Sequence, residues 1–157
     1  MLDKFKFKAT FFCIGNNIEK YPDIYNQILY CGHNTANHTF NHLNGFKTSN
    51  KLYFDNIEKC SELVKSNCFR PPHGSIKYSQ ISFIEKKYKI IMWSLLAEDW
   101  NRNLNIDRKL KQLIKLSRTG DIVVFHDSLK AFENLKLLLP AYLEFLSENN
   151  FNSKLFE

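Results

Sequence analysis

The chain has 157 residues, with 22 Lys and Arg against 16 Asp and Glu, and so a formal net charge of +6. A hydrophobic fraction of 44% with 15% aromatics is ample for a packed core and excludes a disordered chain, and the length suggests one domain. Lys, Asn, Asp or Glu interrupts every apolar run before the roughly eighteen residues that a membrane span needs, and residues 1–12 lack the continuous apolar stretch of a secretion signal.

In chain order, residues 8–14 form a short run of β-formers closed by Gly15, which predicts a buried strand. From Ile18 to Tyr30 the apolar residues recur at helical spacing, and Gly32 is a stop. A polar segment with His33, His38 and His42 follows, then a helix over about 49–64 with Leu52, Tyr53, Ile57, Cys60, Leu63 and Val64 on one stripe. Residues 68–70 read as a short strand ended by Pro71 and Pro72, since proline has no amide to donate to a ladder. A helix near 78–87, a strand at 89–94 and a helix over about 107–116 come next. They are followed by a strand at 122–125, a helix over about 133–147 kinked at Pro140, and a last short strand within 151–156. Repeated β-α alternation implies parallel strands wrapped by helices, in an open sheet or a barrel. A full (β/α)8 barrel takes about 250 residues, so the expectation is a reduced or incomplete one. Residues 4–7 run almost directly into the first strand, as though a preceding helix lay outside the chain.

The cysteines at 13, 31, 60 and 68 are widely spaced with no C-x-x-C pair, and read as free, mostly buried thiols. Lysine is scattered, with no basic block or interleaved aromatic motif, so the positive charge implies a solvated face and no nucleic-acid partner. There is no G-x-S-x-G, P-loop or G-x-G-x-x-G motif.

Functional residues of parallel α/β folds gather at the carboxyl ends of strands. His38 and His42 form H-x-x-x-H, which on a helical turn puts two imidazoles on one side, able to share a divalent ion. Two neutral donors leave such an ion short of a third ligand, preferably a carboxylate. The alternative is two hydrogen-bonded surface or core histidines. His126, after the strand at 122–125, reads either as a general acid or as a strand-end polar residue held by loop backbone. Arg70, if buried, calls for a carboxylate or an anionic ligand, and Trp100 either lines a pocket or fills the core.

Taken in order, A-T-F-F-C-I-G at 9–15, G-H-N-T-A-N-H-T-F-N-H at 32–42, F-R-P-P-H-G at 69–74, W-S at 93–94 with D-W at 99–100, and G-D-I-V-V-F-H-D at 120–127 resemble the polysaccharide deacetylase family. This is carbohydrate esterase family 4, or the NodB-homology domain. The resemblance spans nearly the whole chain as one domain. It implies an α/β fold, a distorted and incomplete (β/α) barrel lacking the first strand. It also implies metal-dependent hydrolysis of N-acetyl groups on N-acetylglucosamine polymers such as chitin oligomers or peptidoglycan. His38 and His42 match the family's metal-binding histidines, with zinc the usual ion. His126 matches the catalytic acid, Asp99 the carboxylate supporting it, and Arg70 the arginine orienting the catalytic base. Pro71, Pro72, Trp100, Ile122 and Val124 match substrate-binding positions, the last two lining the acetyl-methyl pocket.

The sequence also departs from the family. A T-F-D-D-G motif precedes the first of these segments in family members, and its aspartates are the base and the third metal ligand; residues 1–8 hold only Asp3, outside such a setting. The leading aspartate of the D-x-x-D-W form falls at Leu96. The resemblance therefore implies an N-terminally truncated domain with weak or no activity in these residues, or a pseudoenzyme that binds glycan or metal without turnover. The expected partner is an N-acetylated polysaccharide and the expected state a monomer. Localisation is undetermined, because the family often acts outside the cytoplasm.

Overall fold

The structure, a computed structural model, describes residues 1–156. The chain forms two compact units: Lys8–Met92 with the residues from Lys154 onward, and Met1–Phe7 with Trp93–Ser153.

The first unit holds β1 (Thr10–Cys13), α1 (Gly15–Lys20), α2 (Pro22–Tyr30), β2 (Asn34–Asn37), α3 (Asn50–Leu63), β3 (Cys68–Phe69), α4 (Tyr78–Ile84) and β4 (Lys89–Ile90). Its four strands are all parallel, in the order β1-β2-β3-β4, with Thr10 opposite Asn34, Asn37 opposite Phe69, and Phe69 opposite Ile90. Ser49 caps α3 by accepting from the Leu52 amide, and the α3 stripe delivers Tyr53 and Ile57 to a core shared with Phe69, Ile84 and Tyr88. Cys60 and Val64 pack with Ile18 and Phe40 in a second cluster.

The second unit holds β5 (Leu95–Leu96), α5 (Ile106–Leu116), β6 (Val123–Val124) and α6 (Phe132–Glu148), with a 3-10 turn at Leu2–Phe5 against α6. β5 and β6 pair in parallel, Leu95 with Val123 and Leu96 with Val124. Leu113 of α5 meets Leu138 and Tyr142 of α6 beneath Ala97, and Asn105 caps α5 at the Arg108 amide. The architecture is α/β, with neither sheet closed into a barrel. Among the described residues no helix is long and apolar enough to cross a membrane.

Several sequence expectations are corrected here. The single helix over 18–30 is two: Tyr21, at φ −134°, breaks the run, and Pro22, with no amide to donate and a φ suited to a first turn, starts the next one. Of the strand expected at 89–94 only Lys89–Ile90 (β4) is strand, and β5, at Leu95–Leu96, lies just beyond it in a different sheet. β2, read as a polar segment, is a strand: its Asn37 is fully buried, donating through Nδ2 to the Ile57 carbonyl and accepting from the Thr39 amide, so tertiary hydrogen bonds override a poor strand propensity. Residues 151–156 make no strand, although Phe156 accepts from Asn34 Nδ2 and donates its amide to Thr10 Oγ1. α6 is, as expected, one helix with Pro140 inside it. None of the four cysteines is in a disulfide, with Cys60 and Cys68 buried and the other two half-buried.

Candidate functional site

The first group of residues lies at the carboxyl ends of β2 and β3. The 38–42 segment is not the helical turn expected of H-x-x-x-H, because Thr39 and His42 have left-handed backbone at φ 62° and 57°. Hydrogen bonds force this path. The Gly15 and Asn16 amides that open α1 donate to the carbonyls of Thr39 and Phe40. From α3, Asn56 accepts the Phe40 amide on its carbonyl and the Asn41 amide on Oδ1. Gly15 is required at this contact: a Cβ there would lie 2.5 Å from Phe40 Cδ2. The loop so held sets the His38 and His42 ring centres 5.0 Å apart.

His38 Nδ1 lies 2.6 Å from the Arg70 carbonyl. A carbonyl only accepts, so Nδ1 carries a proton there, and Nε2 is the ring nitrogen that would face a metal. Two imidazoles bound at about 2.0–2.1 Å to one tetrahedral ion hold their ring centres about 5 Å apart. The pair therefore fits two positions of a divalent metal site. Among the described residues no group of three His, Cys, Asp or Glu side chains is arranged to hold such an ion.

Arg70, next after β3, is buried, and among the described residues the carboxylate that the sequence reading called for is not there. Its guanidinium instead donates from Nε to the Ile91 carbonyl and from Nη2 to the Met92 carbonyl, at 3.0 Å each, and stacks 3.9 Å from the Phe12 ring centre. Two carbonyls and an aromatic face satisfy the group without neutralising it, and burial pulls its pKa down to about 10. Pro71 and Pro72 are buried and lead into a 3-10 turn, Pro72–Gly74, which carries His73. The His73 ring centre lies 4.6 Å from that of His42, a neighbour that the sequence reading left without a role.

The second group lies at the carboxyl ends of β5 and β6. Asp99 is fully buried, and both of its oxygens accept from one residue: the His126 backbone amide donates to Oδ2 at 2.7 Å and ring Nδ1 to Oδ1 at 2.8 Å. The carboxylate cannot donate, so it fixes the proton on Nδ1 and leaves Nε2 at the other edge of a ring that is 40% exposed. Trp100 packs edge-on against that ring at 4.6 Å. Val124 is buried and Ile122 half-buried. The Ser94 hydroxyl donates to Asp121 Oδ1 and accepts the Ile122 amide, tying the two strand starts together.

Two residues that the sequence reading passed over hold the Asp99 loop. Asn134 of α6 donates through Nδ2 to the carbonyls of Asp99 and Asn101. The buried Lys109 of α5 donates to the Leu96 carbonyl and pairs with Glu98, whose backbone is left-handed at φ 55°. Neither carries a motif signal, since both lie on helix faces that read as ordinary amphipathic positions.

The family model described as polysaccharide deacetylase matches residues 1–89. The chain is 32% identical over 138 residues to the peptidoglycan-N-acetylglucosamine deacetylase of Bacillus cereus, an alignment that covers 82% of this chain and 50% of the relative. The crystal structure of a peptidoglycan N-acetylglucosamine deacetylase in complex with a substituted benzamide superposes with a TM-score of 0.88 at 27% identity, covering 96% of this chain and 74% of that one. A family 4 carbohydrate esterase from Streptomyces lividans, in complex with acetate, shares the fold with a TM-score of 0.87 at 20% identity, over 99% of this chain and 82% of that one. The chain spans about half the length of the Bacillus cereus relative. The chain belongs to the polysaccharide deacetylase family.

Proposed function

We propose that this chain serves a metal-dependent hydrolase that removes N-acetyl groups from N-acetylglucosamine-containing polysaccharide. The observation that carries the reading is the Asp99–His126 pair, a buried carboxylate committed entirely to one partly exposed imidazole. In this reading the bond between the acetyl carbon and the sugar nitrogen breaks, water supplies the oxygen of acetate, and His126 gives a proton from Nε2 to the departing amine. Asp99 holds the ring in the required tautomer and stabilises its charged form. Trp100 walls the ring, Ile122 and Val124 receive the acetyl methyl, and Pro71 and Pro72 shape the substrate side of the first group.

His38 and His42 would hold the divalent ion, with zinc the first choice for two imidazole donors. When bound, the ion polarises the amide carbonyl and acidifies water. Arg70 would orient a catalytic base belonging to a T-F-D-D-G segment, which residues 1–157 do not contain. Absence of a general base costs about 10²–10⁴-fold, so weak or no turnover is expected of these residues alone. Arg70, which among the described residues meets two carbonyls and an aromatic face rather than a carboxylate, favours a second reading for the 157 residues: a glycan- or metal-binding protein without turnover. A monomer acting on an N-acetylated oligosaccharide or polysaccharide fits either reading.

The test is zinc content together with acetate release from N-acetylglucosamine oligomers, measured on this chain and on a form extended at its N-terminus by a T-F-D-D-G segment. Acetate from the extended form alone supports the hydrolase reading with the base supplied there. Acetate from the 157 residues means that another residue acts as base, and none from either form favours binding without turnover.

A further inference from the structure

We propose that Asn134 is a positioning residue for the proton donor: one side-chain amide on α6 sets both groups that touch the His126 ring. The proposal rests on the acid role given to His126 above and deepens it by naming what aims the imidazole.

The Asp99–His126 pair is assembled from two loops, Asp99 following β5 and His126 following β6, and it holds only while those loops keep their spacing. Asn134 lies in the first turn of α6, the helix that follows His126, so its backbone belongs to the β6 side. Its side chain crosses to the β5 side, where Nδ2 donates to the Asp99 carbonyl at 2.9 Å and to the Asn101 carbonyl at 2.8 Å. A carbonyl only accepts, so both hydrogens of the amide are committed. The two acceptors flank Trp100. Asp99 binds the His126 amide and ring Nδ1 through its carboxylate, and the Trp100 ring packs edge-on at 4.6 Å against the same imidazole. A single amide therefore holds the carboxylate that sets the tautomer and the indole that walls the ring.

Two further observations set Asn134 apart from an ordinary helix residue. Asparagine is a poor helix former that is favoured at helix starts where it caps them, yet α6 has no side-chain cap and Asn134 gives its donors to another loop. Neither propensity nor capping accounts for the residue. The other observation is the loop itself. Glu98, immediately before Asp99, has left-handed backbone at φ 55°, which costs energy outside glycine and persists where neighbours impose it. Its carbonyl accepts the Asn101 amide at 2.9 Å, and the buried Lys109 holds its carboxylate at 2.5 Å and the Leu96 carbonyl at 3.2 Å. Lys109 thus pins the start of the strained turn and Asn134 its far half. A proton donor needs such preorganisation, since misplacement by about 1 Å costs a rate on the order of 100-fold.

The experiment uses the 157-residue chain and long-range ¹H–¹⁵N spectra of the His126 ring, which report the position and solvent exchange of the Nδ1 proton without any need for turnover. In the unsubstituted chain that proton should sit on Nδ1 and exchange slowly. Asn134→Ala should speed its exchange at least about tenfold and mix the two ring tautomers, the effect of two lost amide–carbonyl hydrogen bonds. Ser117→Ala is the control: it removes a 2.6 Å hydrogen bond to Tyr142 in the same unit, and should lower stability while leaving the His126 spectrum unchanged. An Asn134→Ala spectrum indistinguishable from that of the unsubstituted chain, or a change matched by Ser117→Ala, would reduce Asn134 to a structural role and overturn the proposal while the acid reading stands. A His126 ring with no proton on Nδ1 in the unsubstituted chain would overturn the acid pair as well. If Asn134→Ala does not fold, the Asn134 amide of the unsubstituted chain decides. Its two protons should exchange at least about tenfold more slowly than those of the exposed Asn103, and equal rates would overturn the proposal.

Discussion

Replacing Asp99 by Asn tests whether charge or shape holds His126. Asp99 is fully buried, and its two oxygens each accept one bond from His126, at 2.7 and 2.8 Å. Asparagine fits the volume but turns one acceptor into a donor. If its NH₂ group faces the His126 amide, two donors meet; if it faces the ring, Nδ1 must become the acceptor and the proton moves to Nε2. The ring option sacrifices fewer bonds, so the expected result is a tautomer switch. The charge-assisted bond that is lost is worth about 1.5–3 kcal/mol, and no water reaches a residue of zero exposure to replace it. Unfolding in urea should show a loss of that size, equivalent to a fall in Tm of roughly 3–12 °C for a chain of this length. The ¹⁵N shifts of the His126 ring report the tautomer directly, whether or not the chain is active. An Asp99→Asn variant that keeps the proton on Nδ1 and stays within about 0.5 kcal/mol of the parent would refute the reasoning.

Tyr53 buries a hydroxyl that has no hydrogen-bond partner among the described residues, so Tyr53→Phe should stabilise the chain by about 1 kcal/mol in denaturant unfolding. Burial pushes the phenols of Tyr53 and Tyr142 up. Unfolded tyrosines ionise near pH 10 while these two stay protonated in the fold, so the folded state binds more protons above that pH. Stability should therefore hold up to about pH 10 and fall as pH rises further, less steeply in Tyr53→Phe. Gly15→Ala puts a methyl group 2.5 Å from Phe40 Cδ2 and 3.2 Å from its Cα, and should cost about 1–3 kcal/mol while loosening the His38–His42 loop, visible as faster amide exchange at Phe40. His42→Ala removes one of the two imidazole donors and should abolish zinc binding by calorimetry; undiminished zinc stoichiometry would remove His42 from that role.

The residue pattern alone determined the β-α alternation and the placing of Arg70, Asp99 and His126 at or just after strand ends. These are local matters: apolar periodicity marks the buried face of a helix, and a polar residue closing an apolar run marks a strand end. Sequence order also carried the family, because five short motifs in a fixed succession are specific where each alone is not. What spacing could not supply was the path of backbone that is neither helix nor strand. H-x-x-x-H suggested a helical turn, yet the His38–His42 loop is shaped by amides of α1 and by Asn56 of α3, partners 15 or more residues away that leave no mark within the motif. Asn34–Asn37 is a strand for the same reason: Asn37 finds its partner in the Ile57 carbonyl, so a polar segment is buried without loss. Among the described residues Arg70 meets two carbonyls and the Phe12 face, and His73 lies against His42, because three-dimensional packing decides which polar groups meet. A sequence states which groups must be satisfied, whereas the satisfaction itself is a long-range contact that only the tertiary fold creates.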